Sequence, residues 1–175
     1  MTTFWATPQI ITQYAEPNAE IAHVQWDDRD NFNAIKTLNG RSLGTLKCLE
    51  HISRSPKTDI TNKTYYLKVT KFNFENVPST ISGIELRLSM QRAGRITDDT
   101  IQLCYKDSPI GDNLANLDVS PIKIYGSPTS LWSIENLTPA MVNDISFGII
   151  FRFKAHPKFP HKTGAFVDAV ELRIH

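Results

Sequence analysis

Residues 72–91 read FNFENVPSTISGIELRLSMQ, two extended segments on either side of a Val77-Pro78 corner. In the second segment Ile84, Leu86, Leu88 and Met90 alternate with Glu85, Arg87, Ser89 and Gln91. Side chains of a strand point to opposite faces in turn, so this period of two predicts a half-buried strand; a helix would scatter the same apolar residues around its circumference.

The same period recurs outward from that stretch. Upstream, Tyr65 to Phe74 alternates, with Leu67 and Val69 the better candidates for the buried side, and Leu43, Leu46, Cys48 and Leu49 suggest a short first strand within 42–50. Between these, 53–63 reads as a polar loop. Downstream, Gln91 to Asp99 is expected as a polar turn, with Asp98 and Asp99 as solvated residues whose side chains point apart, poorly placed to share one ion. Ile101, Leu103 and Tyr105 then alternate in a strand expected to pair with Ile84–Met90 as a hairpin, because sequence neighbours usually pair.

The stretch 107–143 is rich in Pro and Gly; it predicts a short strand at Ile122, Ile124 and Tyr125, an end plug at Trp132, and one helical turn after Thr138-Pro139. Two strong strands close the chain. In the first, Phe147, Ile149, Phe151 and Phe153 share a face; in the second, Phe166, Asp168, Val170, Leu172 and Ile174 oppose Val167, Ala169, Glu171 and Arg173. The expected fold is all-β, an antiparallel β-sandwich of jelly-roll type over 43–175, preceded by an extended N-terminal arm over 1–42, in one domain overall. Phe4, Trp5, Tyr14, Trp26 and Phe32 in the arm follow no sustained period. They cap one end of the core, or some of them, Phe4, Trp5 and Tyr14, dock on a neighbouring subunit.

Composition narrows the function classes. The 175 residues, 41% hydrophobic, suffice for one sizeable core. Nineteen Lys and Arg against eighteen Asp and Glu leave a net charge of +1, without the positive field that holds proteins to phosphate backbones, so nucleic acid is not an expected partner. No apolar run reaches the roughly 20 residues of a membrane span, and the N-terminus lacks the order of a signal peptide. Cys48 and Cys104 are read as ordinary thiols. A Gly-x-Ser-x-Gly elbow and a Gly-rich phosphate loop are both missing, and His23, His51, His156, His161 and His175 are scattered without ligand spacing. No catalytic, cofactor-binding or metal-ligating residue is predicted, and the chain is not expected to be an enzyme.

The order of segments resembles a jelly-roll domain common among structural proteins of tailed bacteriophages. Ile81-Ser82-Gly83-Ile84 matches that family's Ile-x-Gly-Ile step after a Pro corner. Tyr125-Gly126 with Leu131-Trp132, then Asn143 with Phe147-Gly148, then Val167-Asp168 follow in the family's order; Ser133 departs from it, standing where a second Gly is more usual. The resemblance covers most of the chain from about residue 16 and implies a virion structural protein, a capsid cement or decoration protein bridging major capsid subunits as a homotrimer. A tail, baseplate or head-fibre component is the rival within that class. A glycan- or receptor-binding module is the rival outside it, for which Tyr65, Tyr105 and Tyr125 would have to line one groove.

Overall fold

The computed structural model describes residues 2–17, 23–29, 32, 35, 46–47, 63–93, 96–155 and 164–175. The described strands are β1 (Ile10–Tyr14), β2 (Leu46–Lys47), β3 (Tyr66–Thr70), β4 (Ile84–Ala93), β5 (Ile96–Tyr105), β6 (Ser108–Ile110), β7 (Ile122–Gly126), β8 (Gly148–Ala155) and β9 (Gly164–Ile174). A single helical turn, α1 (Pro139–Val142), starts at Thr138, whose hydroxyl accepts from Met141 N at 3.2 Å. Pro at the first helical position and a Thr cap explain why it forms just there.

The strands make two antiparallel sheets, ordered β1-β3-β8-β5-β6 and β2-β9-β4-β7. Their inward rows form one apolar cluster: Leu67 and Val69 from β3, Ile101 and Leu103 from β5, Phe151 and Phe153 from β8, and Leu86 and Leu88 from β4 against Val170 and Leu172 from β9. Period-two alternation therefore holds where it was strongest, and it drives burial on the order of 2 kcal/mol per large apolar side chain. Trp132 is also buried, and its indole N–H donates to Ile84 O at 3.0 Å. A side chain added at Gly126 would meet that same carbonyl at 2.2 Å, on a backbone at φ +78°, so only glycine fits beneath the indole. Ser133, although not glycine, adopts φ +60°, and its hydroxyl donates to Asp112.

Four expectations are corrected. First, β4 and β5 do not pair: β4 lies between β9 and β7, whereas β5 lies between β8 and β6, so the chain crosses between sheets after Ala93. Second, residues 96–99 belong to strand β5, with Asp98 buried and Asp99 paired on the outer face. A register shift between Asp98 and Thr100 provides the extra residue. Third, a second register shift, between Ser89 and Met90 of β4, changes the phase of β9 between Val167 and Ala169; Val167 and Ala165 face the core in place of Phe166 and Asp168. Fourth, β3 stops at Thr70, because Lys71, Asn73 and Asn76 all take positive φ.

The described part of the N-terminal segment is not a free arm. Thr3 N donates to Ile174 O, Ala6 and Leu172 exchange both backbone bonds at 2.8 and 2.9 Å, and β1 then pairs with β3 in the opposite sheet. Trp26, Phe32 and Ile35 belong to the same apolar cluster as the strands. The proposed first strand of 42–50 is described only at β2, and Cys48, His51, His156 and His161 lie outside the described residues.

Candidate functional site

The N-terminal segment brings Phe4 and Trp5 onto the outer face of the four-stranded sheet. There β4 and β9 face each other in register, Arg87 with Glu171 and Glu85 with Arg173. Each arginine forks onto the glutamate opposite, Arg87 through Nε and Nη2 to Glu171, and Arg173 through Nε (3.0 Å) and Nη2 (2.5 Å) to Glu85. His175 Nε2 adds a contact to Glu85 at 2.7 Å. Burial pushes the Glu85 carboxyl up, but Arg173 and His175 outweigh it and hold it below the ordinary carboxylate range. Trp5 packs against this ladder, with the guanidinium carbons of Arg87 and Arg173 at 4.4 and 4.3 Å from its ring. Phe4, next to it, is 81% exposed. The two rings share the wall of an open cleft of about 340 Å³ with Gln9, Phe72, Asn73 and Glu75.

Tyr14 belongs to the other sheet. It stacks on Tyr66, with ring centroids 5.0 Å apart, and Arg152 lies over Tyr66 at 4.0 Å. Arg152 is buried on that outer face and bonds Glu16 at 2.7 Å and Asp99 at 2.5 and 2.7 Å. Lys63 and Lys154 reach the second Asp99 oxygen at 3.1 and 3.4 Å. Burial pushes the Asp99 carboxyl up; Arg152 and Lys63 outweigh that and hold it below its usual value. Burial, reinforced by Arg152, lowers His23.

A third cluster escaped sequence reasoning. On edge strand β7, Ile122 and Ile124 are 62% and 56% exposed, whereas Lys123 and Tyr125 turn inward. Lys123 Nζ crosses to the other sheet and bonds Asp98 Oδ2 at 2.5 Å, with Asn116 Oδ1 at 2.8 Å and Asp118 O at 2.9 Å. The Tyr125 hydroxyl and Asn116 N also donate to Asp98 Oδ2. An inward-pointing charge on an edge strand discourages a second sheet from pairing there, so β7 offers its isoleucine face and not its backbone.

Of the three residues expected at a subunit interface, then, Phe4 and Trp5 share one surface, with Trp5 engaged by its own chain, and Tyr14 is on the opposite sheet. Tyr125 is buried, which removes it from the tyrosine groove imagined for glycans. Cys104 is buried too, and burial pushes its thiol up to about 12, away from reactivity. Among the described residues no group of three or more His, Cys, Asp or Glu is arranged to hold a metal ion, and no helix is long and apolar enough to cross a membrane. No family model, no curated protein and no solved structure matches this chain.

Proposed function

We propose that the chain is a jelly-roll structural protein of a virion: a capsid cement or decoration protein that works as a homotrimer in contact with the major capsid protein. The observation that carries this reading is strand order. In an eight-stranded jelly roll numbered along the chain, one sheet runs first-eighth-third-sixth and the other second-seventh-fourth-fifth. Taking β2 to β9 as the eight, β2-β9-β4-β7 and β3-β8-β5-β6 follow that order, with β1 added at an edge. The residues of the phage resemblance support the same reading, since they stand at corners of this topology: Gly126 and Trp132 are locked over Ile84 O, and Asn143 caps α1. Fold alone does not set function. The adhesive role is supported by the large apolar side chains left exposed, namely Phe4, Leu117, Ile122, Ile124 and Ile145, beside a four-stranded sheet whose Arg87–Glu171 and Arg173–Glu85 pairs satisfy each other.

The test is whether the chain sediments with purified tailed-phage particles at fixed stoichiometry after salt and chelator washes, and where density maps place it. Occupancy of capsid lattice positions agrees with the proposal. Occupancy of tail, baseplate or fibre assigns the rival role, and absence from particles together with selective retention on a glycan array overturns both.

A further inference from the structure

The inward side of β7 holds a lysine, an asparagine and an aspartate in mutual contact. The side chains of Lys123 and Asp98 are 3% and 0% exposed, and Lys123 Nζ lies within hydrogen-bond distance of both Asp98 Oδ2 (2.5 Å) and the side-chain amide of Asn116 (2.8 Å). Asp98 is fixed by the Tyr125 hydroxyl at 2.8 Å and by Asn116 N at 3.2 Å, so one carboxylate oxygen faces both the amine and the chain segment bearing the amide. Lys123 Nζ also lies 4.8 Å from the centre of the Tyr125 ring. A nucleophile, an electrophile and a proton carrier held this closely, with the amine and the carboxylate shielded from water, have the effective concentration of an intramolecular reaction.

We propose that Lys123 and Asn116 form an intramolecular isopeptide bond, with Asp98 as the proton carrier. Lys123 hands one ammonium proton to Asp98, and the neutral amine attacks Cγ of Asn116, so the Nζ–Cγ bond forms as the carbonyl π electrons move to oxygen. Protonated Asp98 supplies a proton to that oxygen. It then relays one from Nζ to the departing amide nitrogen as the Cγ–Nδ2 bond breaks. Ammonia leaves with the hydroxyl proton as ammonium, the carbonyl is restored, and Asp98 ends as it began. No oxidant, reductant or second substrate is consumed. Asn116 is at the solvent-exposed end of the cluster, which gives ammonia a way out. The bond would close 116–123 into a ring and fasten the segment that packs beneath β7, the strand carrying the exposed isoleucines.

The intact mass of the purified, folded full chain tests this directly, independent of any particle. The expected mass is one ammonia below that of the sequence, with trypsin failing to cut after Lys123. The exposed-site variant Asn116→Ala should show its full sequence mass and regain that cut, and so should Lys123→Arg at its new arginine. An unshortened wild-type mass after prolonged incubation at neutral pH overturns the proposal. A mass lower by one water, which would join Lys123 to Asp98, overturns the assignment of Asn116.

Discussion

Arg152 is the partner whose removal should cost most on the outer face of the five-stranded sheet. Its guanidinium is buried between Asp99, Glu16 and the Tyr66 ring, and Arg152→Met keeps much of the stem while deleting the charge. Removing one member of a buried pair costs about 3–5 kcal/mol, because the other charge stays desolvated. Two facts reduce that figure here. Lys63 and Lys154 still face Asp99 at 3.1 and 3.4 Å, and Glu16 is half exposed, where a lost ion pair is worth little. The expected loss is about 2–4 kcal/mol by urea unfolding at neutral pH. The sign of its pH dependence follows from Asp99. In the wild type this carboxyl is held below its ordinary 3.8, so its contribution is present above that value and lost as pH falls through the lowered one. Without Arg152 burial prevails, the carboxyl rises, and protonation relieves the variant earlier than the wild type. The gap between the two should therefore narrow as pH falls below the ordinary 3.8, and Asp99→Asn added to Arg152→Met should recover at least half of it at neutral pH. A loss below about 1 kcal/mol, or one unchanged between neutral and acid pH, would refute the assignment of Asp99 as the dependent partner.

Gly148→Ala places Cβ 1.9 Å from Val69 O and 2.9 Å from Thr70 Cα, both backbone atoms, so β3 and β8 must part; a loss of about 1–3 kcal/mol or more is expected in urea unfolding. Trp132→Phe keeps a ring but strands the Ile84 carbonyl, for about 1–3 kcal/mol, whereas Trp132→Ala adds a cavity and should reach about 3–5 kcal/mol; equal costs would deny the hydrogen bond its role. Ile124→Lys, on an exposed site, should leave stability within about 0.5 kcal/mol while weakening attachment to particles, read by sedimentation. Thermal midpoints should fall in two steps on acidification. His23, lowered by burial, contributes fully above its ordinary 6.5 and loses that contribution as pH drops from there toward its native value; Asp99 and Glu85 follow below their ordinary 3.8 and 4.5, and His23→Gln should abolish the first step alone.

What could be read from the sequence was periodicity, and its failures have physical causes. Alternation identified the core rows of β4 and β8 because nothing interrupts their inward faces over Ile84–Leu88 and Ile149–Phe153. In β9 and β5 one extra residue changes the phase, and a bulge leaves no signature when the residue it adds is an ordinary Asp, as at Asp168 and Asp99. Pairing failed for a different reason: a short polar connection normally means a hairpin, yet β4 and β5 stand in different sheets, and both have inward apolar rows that suit either arrangement. Strand β7 shows the same limit most sharply. Its isoleucines alternate with Lys123 and Tyr125, and hydrophobicity alone would turn Ile122 and Ile124 inward. The reverse arises because Asp98, set in the core by the register of β5, needs its charge met there, and Lys123 and Tyr125 supply a cation and a hydroxyl from the facing sheet. Two observations that look separate, a charge pair inside the core and apolar side chains outside it, are thus one consequence: satisfying Asp98 is what puts the isoleucines on the surface, where a partner can reach them.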